Sequence, residues 1–331
     1  MVATMNAVVF KQYGSPDVLE LLEIPRPVPK DDEVLIRVQA ASINDWDWEA
    51  LHGTPFVNRL MFGVLKPKKQ ILGSDIAGTI EAAGNNARRF QPGDAVYGDL
   101  SGAWGGFAEY VCARETALAL KPSGMTYEQA AAIPQAAMLA VQALRDAGRL
   151  QRGQRLLING AGGGVGTFAI QLAKLYGADV TGIDSGEKLD LMRSLGADHV
   201  IDYRKEDFTT SAQRYDLILD VKTHRSVSEC ARALTAAGTY VTVGGSMARL
   251  FQALLLWPWI RLTTRKKLRL VALKPNKDLD YINELFETGK ITPVLDGPYE
   301  LEALPDAFRY FGEGRHKGKV IIRCAATSDG R

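Results

Sequence analysis

One stretch constrains this chain more than any other: Leu156-Leu157-Ile158-Asn159-Gly160-Ala161-Gly162-Gly163-Gly164-Val165-Gly166. A buried-strand pattern over Arg155–Asn159 runs straight into a glycine-rich turn, and a helical pattern follows from about Val165 to Tyr176. Without side chains at the turn, backbone N–H groups stand bare at a helix N-terminus, which carries unpaired donors and a partial positive charge. A dinucleotide pyrophosphate needs such a surface. The register Ala161-x-Gly163-x-x-Gly166 follows the dinucleotide-binding spacing, with alanine in the first place and Gly160 before it. Gly166 would let the helix pack closely on the strand. A ligand-free turn is the plain alternative, and the flanking strand and helix weigh against it.

The surrounding pattern alternates. Strands are expected at Asp179–Ile183, His199–Asp202, Leu217–Val221 and Tyr240–Val243, with helices between them, including Glu187–Leu195. Strands alternating with helices predict an α/β, doubly wound parallel sheet with helices on both faces. The first 120 or so residues read differently: short apolar runs such as Ala7–Phe10, Glu33–Ala40 and Ile76–Ala83, broken by Gly, Pro and Asp, predict a curled β-domain. An alanine-rich helix is expected over Thr126–Arg149, opened by the capping box Thr126-x-x-Gln129. The chain closes with helices at Asp278–Thr288 and Glu302–Phe311 and a strand, Lys319–Arg323, that returns to the β-domain. A length of 331 residues suits two domains. Their expected parts are 1–125, 126–268 and a return over 269–331.

A net charge of +2 argues neither for nor against a partner, and no long basic tract or interleaved basic–aromatic surface points to nucleic acid, so none is expected. Cys112, Cys230 and Cys324 are scattered and read as reduced thiols. The N-terminal residues lack a signal-peptide pattern, and the apolar run Leu250–Ile260 is shorter than the roughly 20 residues a membrane span needs. A cytoplasmic protein is expected.

The second strand of the alternating region ends at Asp184 and Ser185. An acid there accepts hydrogen bonds from both ribose hydroxyls and favours NAD. Ser185, Lys188 and Tyr203 lie where they would hold the 2′-phosphate of NADP instead, so the choice between cofactors stays open at this point.

The glycine loop, together with Gly73-x-Asp75-x-Ala77-Gly78, Pro92-Gly93-Asp94, Gly106-Phe107-Ala108-Glu109-Tyr110, Leu195-Gly196-Ala197-Asp198 and Gly318-Lys319-Val320-Ile321, resembles the zinc-independent quinone oxidoreductase branch of the medium-chain dehydrogenase/reductase superfamily. That resemblance covers nearly the whole chain. It implies a GroES-like β-domain built from both chain ends, an inserted Rossmann domain, and a nicotinamide in the cleft between them. It also implies a 2′-phosphate on Lys188 and Tyr203, hence NADP(H) ahead of NAD(H), a turn at Gly244 and Gly245 near the nicotinamide, and a homodimer. The acid at Asp184, absent from many such relatives, keeps NADH use open.

Zinc relatives need Cys and His ligands. Here the catalytic cysteine position falls at Asn44, and the Gly-His-Glu motif reads Gly73-Ser74-Asp75. No cysteine cluster lies between Arg89 and Val111, and His52, His199, His224 and His316 have no partner at ligand spacing. No zinc is therefore expected. Without a Lewis acid, hydride delivery to an electrophilic acceptor, a quinone or an α,β-unsaturated carbonyl, is favoured over alcohol oxidation. In the loop Ser42–Trp48, Asn44 would hydrogen-bond a substrate or cofactor oxygen and Asp47 would fix the backbone. Trp46 and Trp48 would wall the pocket of a small lipophilic substrate, or else belong to the core. Tyr97 and Trp104 are weaker candidates. Two other readings stand beside this one: a metal-free NAD-linked alcohol dehydrogenase, and a non-catalytic NADPH sensor. The apolar-then-basic segment 249–269 would form a lid or dimer surface, or an amphipathic contact with an anionic membrane.

Overall fold

A computed structural model of the chain describes residues 3–223, 225–244, 255–256, 258, 262 and 264–325. The chain divides into two units. One comprises Met1–Gln135, Pro275–Glu287 and Pro293–Arg331, and the other Ala136–Lys274 and Thr288–Thr292.

The first unit is built on a seven-stranded sheet. Its strand order is Leu295–Glu300, Lys319–Arg323, Glu33–Ser42, Asp75–Ala83, Ala95–Asp99 and Ala119–Leu120, with Tyr110–Arg114 also pairing along Glu33–Ser42. The central strand, Glu33–Ser42, is buried along most of its length because both faces are covered. A two-stranded antiparallel ribbon, Thr4–Phe10 with Leu19–Pro25, lies beside it. The last strand pairs antiparallel with the third, Ile321 opposite Ser42, so the chain end does return to the β-domain. The core of this unit joins residues from both ends of the sequence, among them Ile36, Ile76, Phe107, Phe308 and Ile322.

The second unit carries a six-stranded parallel sheet in the order His199–Asp202, Asp179–Asp184, Arg155–Asn159, Tyr215–Asp220, Leu234–Thr242, Lys267–Leu270. Chain order reverses beside Arg155–Asn159, and ligands of open α/β sheets bind at the carboxyl end of such a switch point. The glycine turn lies there, at the carboxyl end of Arg155–Asn159. Among the described residues no helix is long and apolar enough to cross a membrane.

The expected helix Thr126–Arg149 is not continuous. Its capping box forms as the sequence indicates, with Gln129 N donating to Thr126 Oγ1 at 3.1 Å and Thr126 N to Gln129 Oε1 at 3.0 Å. The helix then stops at Ala131 and restarts over Pro134–Val141, followed by a wider π turn at Gln142–Ala147. Proline cannot donate into a preceding helical turn and disfavours helix at the residue before it. Tyr127–Ala131 belongs to the first unit, so the division falls after Gln135 rather than before Thr126. The segment 249–269 lies largely outside the described residues. Of it, Leu255, Leu256 and Leu262 are exposed, and Lys267–Leu270 forms the edge strand.

Candidate functional site

In the second unit the glycine turn joins Arg155–Asn159 to a helix over Gly164–Leu175 with Gly163 as its N-cap. Gly160 has φ +87°, a left-handed conformation that favours glycine. Gly166 is required by closeness: a Cβ there would stand 2.2 Å from Gly160 O and 2.5 Å from Ala161 Cα. The amides of Gly160 and Ala161 donate to Ile183 O at 2.9 and 3.0 Å, which ties the turn to the next strand. Val165 is the second residue of the helix.

Asp184 ends that next strand, as expected, but its carboxylate is committed. Oδ2 accepts Gly162 N–H at 2.9 Å, and Oδ1 accepts Ser185 N–H at 2.8 Å and lies 3.2 Å from Lys188 Nζ. Both side chains of this ion pair are buried. Lys188 is thus a partner of Asp184, four residues on, and its stem packs beside Gly162, where a Cβ would stand 2.6 Å from Lys188 Cδ. Tyr203 is about half exposed, with its backbone N–H on Asp184 O at 3.2 Å and the Arg204 guanidinium over its ring. The structure therefore gathers Gly162, Asp184, Ser185, Lys188 and Tyr203 at one strand end. Gly244 follows Leu234–Thr242 and accepts from Thr242 Oγ1 at 2.7 Å. Gly245 lies outside the described residues.

In the first unit Asn44 is the N-cap of a helix over Asp45–His52 and is almost fully buried. Asp47 fixes this corner: Oδ2 accepts Asn44 N–H at 2.8 Å and Oδ1 accepts Gly73 N–H at 2.9 Å. Asn44 Nδ2 donates to Ser74 Oγ at 3.3 Å, and Gln135 Nε2 donates to the same oxygen at 3.2 Å. Behind them lies a buried cation. Lys319 Nζ donates to Asn44 Oδ1 at 2.5 Å and Ile43 O at 3.2 Å, and reaches Asp75 Oδ2 at 3.4 Å. Asp75 Oδ2 also accepts Gln135 N–H at 3.2 Å, while Asp75 Oδ1 is buried without a partner.

Burial pushes the Asp47 carboxyl up to about 7 despite its two amide donors, and Asp75 up to about 6 against the pull of Lys319. Both groups bind protons more tightly folded than unfolded, so between about pH 4 and pH 7 the folded state holds more protons and this contribution to stability falls as pH rises. Denaturation midpoints across that range check it: the part of the fall due to Asp47 should vanish in Asp47→Asn.

The tryptophans diverge. Trp48 packs on His52 and Phe311, and the Gly312 backbone comes so close that a Cβ would stand 2.1 Å from its ring. Trp48 is thereby committed to packing. Trp46 meets Phe62 edge to face at 5.6 Å, and Phe62 meets Trp104 likewise. Tyr97 is fully buried and donates to Asn283 Oδ1 at 2.6 Å. Ser74 and Lys319 meet Asn44 from 30 and 275 residues away, and Gln135 joins them through Ser74, so no spacing in the sequence marks these three as its polar partners.

A GroES-like β-unit and a separate unit with a glycine turn at the switch point of a parallel sheet define a two-domain, nucleotide-linked dehydrogenase architecture. The family models agree: residues 30–123 match the alcohol dehydrogenase GroES-like domain and residues 195–322 the zinc-binding dehydrogenase domain. The chain is 35% identical over 330 residues to the 2-methylene-furan-3-one reductase of Solanum lycopersicum, across 96% of this chain and 79% of that protein. It is 33% identical to the chloroplastic quinone-oxidoreductase homolog of Spinacia oleracea, across 96% and 98%. It is also 33% identical to the chloroplastic NADPH-dependent alkenal/one oxidoreductase of Arabidopsis thaliana, across 96% and 79%. The solved quinone oxidoreductase of Coxiella burnetii superposes with a TM-score of 0.88 at 27% identity, covering 98% of this chain and all of that one. The chain belongs to the medium-chain dehydrogenase/reductase superfamily, in its quinone oxidoreductase branch.

The zinc named by one family model does not suit the residues at Asn44. Zinc takes thiolate, imidazole and carboxylate donors. Asn44, Ser74 and Gln135 offer amides and a hydroxyl that already bond one another, and the Lys319 ammonium supplies positive charge beside them. Among the described residues no group of three or more His, Cys, Asp or Glu is placed to hold a metal ion.

Proposed function

We propose that this chain delivers a hydride from NAD(P)H to a quinone or an α,β-unsaturated carbonyl without a metal ion. The observation that carries this reading is the buried Lys319 ammonium, 2.5 Å from Asn44 Oδ1, at a corner where a zinc enzyme needs a metal-binding thiolate. A nicotinamide cofactor suits the glycine turn, where a Cβ at Gly160, Gly162 or Gly166 would stand within 3 Å of neighbouring atoms. Bound NAD(P)H supplies the hydride. The protein binds and orients the reactants. The amides of the first turn of the helix Gly164–Leu175 would hold the pyrophosphate, since the Gly162 amide is already bonded to Asp184 Oδ2.

Asn44 is the residue we assign to the acceptor oxygen. Its amide nitrogen carries two hydrogens, and one goes to Ser74 Oγ. The other would donate to the oxygen that gains negative charge as hydride arrives at the conjugated carbon, and a proton from water completes the reduced product. Lys319 acts through Asn44: by donating to Oδ1 it fixes which way the amide points and polarises its N–H. Trp46 remains our candidate for an apolar wall. Asn44→Ala should lower kcat roughly a hundredfold with little change in cofactor affinity, as for loss of one preorganised donor.

For the cofactor we favour NADPH, with NADH also accepted. Lys188 and Tyr203 support the first and Asp184 the second. Removing Asp184 would take a negative charge away from the place of a 2′-phosphate and from Lys188, so Asp184→Ala should raise the NADPH/NADH ratio of kcat/KM by roughly tenfold, one charge interaction of about 1.4 kcal/mol. An unaltered ratio would show that this acid has no part in the choice. The direct test of the activity is loss of reduced-cofactor absorbance with a panel of quinones, alkenals and aldehydes. Tight cofactor binding with no turnover of any acceptor would favour a sensing protein instead.

A further inference from the structure

Residues 50–74 contain no Asp or Glu, but they contain Arg59, Lys66, Lys68 and Lys69. Among the described residues, the same stretch holds several of the exposed large apolar side chains: Phe56 is 65% exposed, Leu60 64%, Val64 50% and Leu65 93%. Soluble proteins scatter such residues singly, and a contiguous exposed patch marks a contact surface.

The segment's backbone explains why these side chains face outward. Asn58, Arg59 and Leu60 donate to Pro55 O, Phe56 O and Val57 O, so one helical winding runs from Pro55 into the helix Asn58–Phe62. Phe56 precedes the helix and Leu60 lies on it, and both side chains are exposed. Its other side is anchored. The Phe62 ring meets Trp46 and Trp104, and Gly63 O accepts Tyr13 Oη at 2.6 Å. The apolar row is thus held out by a fixed inner face. Lys66, Lys68 and Lys69 follow it directly and are all exposed.

We infer that this segment docks on an anionic lipid surface. Apolar side chains beside a cluster of cations, with no acid within residues 50–74 and the flanking Glu49 held by Asn58 Nδ2 at 2.9 Å, match the interfacial layer of a membrane: acyl chains next to negative headgroups. A protein partner would also bury the apolar row, but the run of three lysines without one acid favours a surface of uniform negative charge. The inference goes beyond the hydride-transfer reading, and its test uses neither cofactor nor acceptor.

The test is flotation of the full chain with vesicles of one part phosphatidylserine to two parts phosphatidylcholine, against phosphatidylcholine alone. Binding to the anionic vesicles is expected at low salt, with loss near 0.5 M salt, where screening leaves a Debye length of only about 4 Å. Leu60→Glu with Leu65→Glu should weaken partitioning at least roughly tenfold by removing apolar contact. Reversing Lys66, Lys68 and Lys69 to Glu should weaken it roughly a hundredfold. All five side chains are exposed, so folding, checked by the thermal midpoint, and turnover with a water-soluble acceptor should not change. Equal binding to both vesicle types, no binding at low salt, or full binding by the variants would overturn the inference. So would a lack of vesicle binding with a dimer that the leucine variants dissociate, which would give the patch to a second copy of the chain.

Discussion

Gly163→Asp is expected to abolish cofactor binding while leaving the protein folded. Gly163 has φ −89° and ψ −174°, an extended conformation open to any residue, and it is the N-cap of the helix Gly164–Leu175. Aspartate is among the best N-cap residues, because its carboxylate accepts the first free amides of the helix. Those are the amides a pyrophosphate would need, so the same change that caps the helix fills the phosphate site with a like charge. Losing two charge-assisted hydrogen bonds at about 1.5–3 kcal/mol each raises Kd by at least roughly a hundredfold. Titration calorimetry with NADPH and a thermal midpoint at or above that of the wild type would together bear this out. Unchanged affinity in the folded variant would contradict the placement of the nucleotide.

Lys319→Met should strongly destabilise the first unit. It keeps the length of the side chain but leaves Asp75 buried beside no cation, and breaking a buried pair from one side costs about 3–5 kcal/mol. The loss should depend on pH. Asp75 already titrates near 6, and without Lys319 it shifts further up, so at pH 5 the carboxyl is neutral and the penalty shrinks to the lost hydrogen bonds, whereas at pH 8 it is full. Adding Asp75→Asn should recover much of the loss at pH 8, since an amide oxygen can still accept Gln135 N–H. Turnover should stay low in that double variant, because Asn44 has lost the donor that orients it. A decrease of roughly tenfold in kcat with KM nearly constant would separate this positioning role from a purely structural one. Urea denaturation at the two pH values, with equal penalties at both, would remove the charge argument.

The glycine turn, the alternating strands and the capping box at Thr126 were legible because each is local. A strand, a turn and a helix within a dozen consecutive residues declare their geometry through side-chain size and period alone. The break at Pro134 was also visible, yet the alanine-rich pattern around it masked the stop. Asp184 was found at its strand end, but a sequence cannot tell that its oxygens are spent on Gly162, Ser185 and Lys188, because those bonds depend on how the turn closes over the neighbouring strand. Trp48 shows the same limit: an aromatic beside a site residue reads as a pocket wall until the Gly312 backbone is seen against its ring.

By itself, then, the sequence determined the two kinds of sheet, the nucleotide turn and the lack of a thiolate at Asn44, since each follows from residue types within a short window. The tertiary structure alone decided what stands at that corner. Lys319 lies 275 residues from Asn44 and reaches it only because the last strand pairs with Glu33–Ser42, which carries the ammonium into a buried space where Asn44 and Asp75 receive it. No local pattern encodes that meeting, because burying a cation is stable only once its partners are already in place.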